Sequence, residues 1–426
     1  MLQTLRNAWR VEEIRKKILF TLLIVLLFRI GNAIPVPFVN TAQLQQYFSY
    51  LQNTALGLLD AMSGGAFSNA TIFALSIQPY INASIIIQLL CIAIPALERM
   101  SKDEGEEGRK KIASITRYST VAIGLLQGIG YYMLMRNNGI IVSGLEKNIW
   151  AAIVIILTFT SGSALTMWLG EQITEFGIGN GISIILFAGI ISRFPNSVVT
   201  SISNVVTGRL AWWAALLVFL GALALIVLIV FVNDAERRIP VQYAKRVVGR
   251  KMYGGQSTHL PMKVNMSGVM PIIFASSIAS IPATIAAFTG NGESWWAQTN
   301  TIGYAIAYFA LIIFFAYFYS TIQFNPIEVA NNLKKNGGYI PGFRPGKPTS
   351  EFIQKVLNKI TLFGALYLSV IAVVPILVSH FSPNLNQLTN LQLGGTSIII
   401  VVGVALETVR AIEAQMLMRN YKGFLS

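Results

Sequence analysis

Charged side chains are scarce in this sequence. Asp, Glu, Lys and Arg make up 12% of its 426 residues, where soluble domains carry about 25%. With 54% hydrophobic residues and a mean hydropathy of +0.59, the chain reads as an integral membrane protein. Length alone would suggest two or three soluble domains, but apolar runs recur along the whole chain, so one polytopic domain is expected. Cysteine is nearly absent. Cys91, in an apolar run, is the only one, which excludes a disulfide framework and a cysteine-rich metal site. Histidine is limited to His259 and His380, neither with the partners that metal or nucleophile chemistry needs. Neither an enzyme nor a cofactor is expected.

Ionisable residues are also missing from the apolar runs. Transporters and pumps place such groups deep in their spans, where they form ion pathways. Here Arg29 lies toward the end of the first run, Glu171 and Glu175 flank a glycine-rich turn, and Glu407, Arg410 and Glu413 sit in the last turns of the tenth. Each reads as an interfacial or snorkelling side chain.

What is present in quantity is membrane-length hydrophobic sequence. Ten runs lie at roughly 18–36, 71–94, 114–135, 149–169, 178–194, 209–232, 264–288, 302–322, 360–380 and 396–415, each near the ~20 residues a helix needs to cross a bilayer. Arg15-Lys16-Lys17 ahead of the first run has the outline of a secretory signal, but no small-residue cleavage pattern follows, and an uncleaved first span is expected. Of 32 lysines and arginines, 27 fall in the leader, the 98–117, 233–263 and 323–359 connections and the tail from Arg410. The positive-inside rule therefore places both termini in the cytoplasm.

Five helices on each side of the 195–208 connection divide the chain into halves 1–200 and 201–426 that run oppositely through the membrane, as in an inverted repeat. Pro79-Tyr80-Ile81-Asn82-Ala83-Ser84 and Pro271-Ile272-Ile273-Phe274-Ala275-Ser276 match at four of six positions. Chance can give so short a match. As a true repeat, it would make the second helix of each half, weakened by proline near its start, partners across a moving seam.

Between the first two spans, Ala55 to Met62 and Ser63-Gly64-Gly65 are too short to cross a bilayer and too apolar for an exposed loop. They read as a half-length helix that dips in and returns, tolerated only inside protein or beside a water-filled cavity. Ile77, Ile81, Ile182, Leu186, Ile273 and Ile400 ordinarily would pack or face lipid; arranged as a ring they would form a dewetting constriction. Residues 233–263 suggest a short basic β-hairpin with a Gly254-Gly255 turn beyond it. Glycine and proline alternate from Gly337 to Pro348 in a stiff loop presenting Arg344. Solvated connectors are the ordinary fate of such loops, but two basic, shaped loops on one side favour docking of a large acidic or RNA-bearing partner.

Five long motifs occur in order: Ile77-Gln78-Pro79-Tyr80-Ile81-Asn82-Ala83-Ser84-Ile85-Ile86-Ile87-Gln88-Leu89-Leu90, Gly105-Glu106-Glu107-Gly108-Arg109-Lys110-Lys111-Ile112, Gly177-Ile178-Gly179-Asn180-Gly181-Ile182-Ser183, Arg238-Ile239-Pro240-Val241-Gln242-Tyr243-Ala244 and Gly338-Tyr339-Ile340-Pro341-Gly342-Phe343-Arg344-Pro345-Gly346. With these the chain resembles the SecY family of bacterial protein-translocation channels over essentially its whole length. The resemblance implies an all-α polytopic fold of ten transmembrane helices in two inverted halves with a re-entrant plug. It implies a passive conduit for unfolded polypeptide that opens sideways to release transmembrane segments into lipid. The family's plug maps to 55–67, with Leu58, Leu59, Met62, Gly64, Gly65 and Phe67, and its pore ring to Ile77, Ile81, Ile182, Leu186, Ile273 and Ile400, leucine standing at 186 where isoleucine is common. The lateral gate lies between helices 2 and 3 and helices 7 and 8, with Asn82, Gln88, Gln127, Pro271 and Ser276 as its candidates. Arg237, Arg238, Lys245, Arg246, Arg250, Arg344 and Lys347 would form the docking surface for the SecA ATPase and the ribosome. SecE and SecG are the implied membrane partners, secretory preproteins and nascent membrane proteins the substrates, and the bacterial plasma membrane the location. A secondary transporter with inverted repeats is the alternative, and the bare spans argue against it. A docking scaffold would explain the loops but not the re-entrant segment.

Overall fold

Each of the ten apolar runs contains a helix. The computed structural model describes all residues except 1–5, 7, 52–54, 103, 146–147, 209–210, 244–245, 249–250, 254–256, 289–297, 299–300, 382–394 and 423–426. The first half holds α1 (Glu12–Gly31), α2 (Thr41–Tyr50), α3 (Ala55–Ser63), α4 (Gln78–Ala93), α5 (Pro95–Lys102), α6 (Gly105–Asn137), α7 (Ile149–Phe176) and α8 (Gly181–Val206). The second holds α9 (Trp212–Asp234), four strands β1 (Glu236–Tyr243), β2 (Arg246–Val248), β3 (Lys251–Tyr253) and β4 (Ser257–Lys263), then α10 (Met270–Phe288), α11 (Ile302–Gln323), α12 (Pro326–Lys335), β5 (Gly338–Tyr339), α13 (Lys347–Phe381) and α14 (Gly395–Lys422).

Among the described residues, five helices are long and apolar enough to cross a membrane by length and composition alone, or six when α4 and α5, which meet at a 107° bend, are counted as one span. The bend has a local cause. Pro95 cannot follow Ile94 in a helix, and Ile94 takes an extended conformation, φ −109° and ψ 112°. α1, α6 and α14 carry charged or polar turns within the same helix as their apolar part.

Two expectations are corrected. Residues 71–77 form turns rather than the first turns of a span, and Pro79 occupies the first turn of α4, as Pro271 does in α10. There a proline lacks only an N–H that has no helical partner anyway, so these prolines start their helices and do not weaken them. The 195–208 connection is mostly helix: α8 runs through Pro195 to Val206, and residue 200 lies inside it. Polar residues lowered the hydropathy there, but their hydroxyls bond back along the helix, Thr200 Oγ1 to the Asn196 carbonyl and Ser201 Oγ to the Ser197 carbonyl, each at 2.8 Å.

The main hydrophobic cluster joins α1, α3, α4, α7, α8, α10, α11, α13 and α14, with Ile229 at the end of α9, and a second lies beneath α2 and α3. α9 is the opposite case. Only Ile229, Val232 and Asn233 are buried in it, and Trp212, Leu217 and Phe231 are exposed, as befits a lipid-facing span.

Candidate channel, plug and docking surface

The aliphatic residues singled out for the ring share the main hydrophobic cluster. Ile77 comes from the turn before α4, Ile81 from α4, Leu186 from α8, Ile273 from α10 and Ile400 from α14, and all five are buried in one cluster with Ile182 packed against it. Helices of both halves thus contribute to one apolar core. Met62 of α3 belongs to the same cluster.

At nine residues, α3 is about 14 Å long and cannot span a bilayer. It packs on α8 and α10. Gly64 and Gly65, with φ of +73° and +87°, reverse the chain after it, a left-handed conformation that other residues rarely adopt. The turn is tied at several points. The Gly65 amide donates to the Asp60 carbonyl at 2.9 Å, the Ser68 amide to Asp60 Oδ1 at 2.7 Å, and Asn32 Nδ2 to the Ser63 carbonyl at 3.4 Å. Phe67 stacks on Tyr131 at 4.2 Å, and the Tyr131 hydroxyl donates to the Phe67 carbonyl. Leu59 is partly buried; the side chain of Leu58 lies outside the described residues. A Cβ added to Gly189 of α8 would lie 2.4 Å from the Met62 carbonyl oxygen, so α3 lies on α8 at backbone contact. Gly189→Val is therefore expected to lift α3 off α8, at about 1–3 kcal/mol of overpacking, and to raise resting ion leak in reconstituted vesicles. An unchanged leak would contradict this contact as a seat for α3.

Alongside α3, a cavity of about 360 Å³ opens between α4, α6 and α10; Asn82 and Gln127 line it, with Ser280 and Thr284 opposite. The other gate candidates do not meet across it. Gln88 Nε2 bonds Ser84 of its own helix at 3.1 Å, Ser276 Oγ bonds the Ile273 carbonyl at 2.9 Å, and Pro271 begins α10. The bond that crosses from α4 to α10 is Gln78 Nε2 to Ser277 Oγ, 3.1 Å and buried. Neither residue is among the gate candidates, although a glutamine beside Pro79 in so apolar a helix is a readable signal.

The two basic loops form one platform. β1 pairs antiparallel with β4 from Glu236–Lys263 to Gln242–Ser257, and β5 adds to its other edge through Gln242–Tyr339 and Tyr243–Gly338. Ile239, Val241 and Met262 seal the sheet onto Leu333, Ile340, Ile353 and Leu357. Arg237 and Arg238 are exposed on β1, with Arg238 Nε bonded to Glu236 Oε1 at 2.7 Å. Arg344 and Lys347 are exposed at the neighbouring turn. Arg246 pairs with Tyr253 in the inner β2–β3 hairpin, its side chain outside the described residues, as are Lys245, Arg250, Gly254 and Gly255.

The root of the platform is braced against α14. The Val264 amide donates to the Ala235 carbonyl at 2.9 Å, Asn265 Nδ2 to Asn233 Oδ1 at 2.9 Å, and Arg410 Nη2 to the Asn233 carbonyl at 2.9 Å and to Asp234. Arg410 therefore ties α14 to α9 and is more than the interfacial side chain expected. A cavity of about 350 Å³ beside it is lined by Asn180, Lys263, Tyr319 and Glu407. Desolvation at its rim, then the nearby Arg410, pulls Lys263 below the ordinary lysine range. Among the described residues no group of three His, Cys, Asp or Glu side chains could hold a metal ion.

An apolar core shared by two helical halves, a re-entrant helix packed into it and a basic platform on one face define a multi-pass membrane protein built as a plugged channel. The family model of SecY matches residues 71–409, and the chain belongs to the SecY family. It is 46% identical to the protein translocase subunit SecY of Streptomyces galbus over 443 residues, covering 100% of both chains. It is 44% identical to that of Mycobacterium tuberculosis over 450 residues, again with 100% of both covered. Among solved structures, one described as "The structure of a protein conducting channel" aligns with a TM-score of 0.67 at 17% identity, covering 95% of this chain and 93% of that one. Sec61 in the canine ribosome-channel complex from the endoplasmic reticulum aligns with a TM-score of 0.64 at 16% identity, covering 95% and 93%. At such identities these two likenesses concern the fold.

Proposed function

We propose that this chain is the protein-conducting channel of a bacterial plasma-membrane translocase, passing unfolded polypeptide across the membrane and releasing apolar segments sideways into lipid. The observation that supports the reading is the burial of Ile77, Ile81, Leu186, Ile273 and Ile400, from both halves, in one apolar cluster with Met62 of the plug. A ring of branched aliphatic side chains excludes water and ions when closed and has no fixed polar group to grip a passing chain. Residues 55–67 act as the plug. The lateral gate is the α4–α10 seam, with Asn82, Gln127, Gln78 and Ser277 along it, and the bodies that part are the half ending with α8 and the half beginning with α9. The division between the two bodies falls after α8, between Val206 and Trp212, not inside that helix. Arg237, Arg238, Lys245, Arg246, Arg250, Arg344 and Lys347 dock SecA or the ribosome, while SecE and SecG flank the channel. Both termini lie in the cytoplasm. That the relatives are named translocase subunits and one fold neighbour a ribosome-channel complex supports this reading over a secondary transporter.

The test is reconstitution of the chain with its membrane partners in vesicles, scoring protease protection of an unfolded polypeptide. Uptake of a small solute without polypeptide transport would favour the transporter. Deleting residues 55–67 in the same vesicles is expected to raise resting ion conductance; a tight deletion would show that the aliphatic ring seals alone.

A further inference from the structure

The plug helix carries one acidic residue in an otherwise apolar stretch, and α8 places one basic residue against it. Asp60 is 5% exposed. One carboxylate oxygen accepts the Ser68 amide, and the other pairs with Arg193 Nη2, with a small cavity of about 120 Å³ beside Gln45 and Ser49 leading to both side chains. A buried carboxylate without a counter-charge is strongly unfavourable, so Asp60 suits this place only while α3 lies beside Arg193. A second guanidinium stands near. Arg29 Nη1 is 3.2 Å from where a Cβ on Gly64 would be, at the carbonyl end of α3, where a cation complements the helix dipole.

We propose that the Asp60–Arg193 pair is a latch that holds the plug shut and sets how apolar a substrate segment must be to open the channel. The proposal rests on the plug reading above. Moving α3 out of the pore separates the pair, and a substrate shifts a closed–open equilibrium only by the difference in its affinity for the two states. A strong latch rejects weakly apolar segments; a weakened one admits them. Asp60 and Arg193 are then specificity-determining residues although neither lines the constriction.

Asp60→Asn keeps an acceptor for the Ser68 amide and removes the charge; Arg193→Gln removes the other partner. In vesicles containing the complete complex, each is expected to raise resting halide leak about tenfold or more. Each should also allow export of a reporter whose apolar segment is too short for the native channel. Asp60→Glu, which keeps the charge, and the exchange Asp60→Arg with Arg193→Asp are expected to restore sealing and selectivity. Retention of the co-purifying membrane subunit reports that each variant folds. Single variants that stay tight and reject the short reporter overturn the latch, as does an exchange no tighter than the singles. A leaky 55–67 deletion beside a tight Asp60→Asn variant rejects the latch alone; a tight deletion rejects the plug reading.

Discussion

Replacing Arg344 with glutamate is expected to abolish partner-driven translocation while leaving the channel folded. The turn that carries Arg344 does not depend on its side chain. Gly342 and Gly346 supply φ of +89° and +107°, Thr349 Oγ1 donates to the Arg344 carbonyl at 2.8 Å, and Phe343 packs on Phe352 at 4.2 Å. Arg344 itself is exposed, and exposed substitutions away from such supports change stability by about 0.5 kcal/mol or less. In a docked complex the arithmetic reverses. Losing one partner of a desolvated charge pair costs about 2–5 kcal/mol, and glutamate adds repulsion to an acidic surface. The readouts are partner affinity, protease-protected export and the thermal midpoint. Normal export with glutamate at this position would remove Arg344 from the docking surface; a collapsed thermal midpoint would place its role in the fold.

The second large effect concerns the seam. With Cys91 replaced by serine, cysteines substituted for Gln78 and Ser277 are expected to form a disulfide on oxidation and stop translocation completely, with recovery on reduction. The side chains they replace touch at 3.1 Å through the far end of the glutamine, so the bridge forms as α4 and α10 close that extra length to the about 3.5–4.5 Å between Cβ atoms that a disulfide requires. Both positions are buried between α4 and α10, so a covalent bridge leaves the closed state intact and forbids only the parting of the helices. Oxidised channels that export and release apolar segments at the native rate would show that these helices do not separate. Oxidation of the single-cysteine variants separates the bridge from incidental thiol damage.

The helices were legible because each apolar run is long and each connection charged, and the basic connections were equally plain. The far end of α8 was not: Ser197, Thr200 and Ser201 look like loop by hydropathy, yet their hydroxyls satisfy backbone carbonyls. The start of α4 was misplaced because apolar residues 71–77 fill buried turns as readily as helix. Ring positions were accessible through motif likeness, since apolar composition alone cannot separate a constriction from ordinary packing. Pairing of β5 with β1 was out of reach, because Tyr339 and Gln242 are 97 positions apart and two residues of strand carry no period of their own. The Gln78–Ser277 bond lay inside quoted sequence, but which polar side chain turns toward the facing helix depends on rotation about the helix axis, which a short match does not fix.

The bracing of the strand that leads into α10 has a mechanical side. Between Lys263 and Met270 the backbone is held on both flanks: a Cβ on Gly364 of α13 would lie 2.8 Å from the Val264 carbonyl oxygen, and one on Gly403 of α14 would lie 2.5 Å from Val269 Cγ1. So short and confined a link, bent at Gly268 with φ of +62°, has little room to move independently of the sheet and α10. A partner seated on the platform would therefore be coupled in series with one wall of the seam, and the stiffness of six residues would govern how much of its pull arrives there.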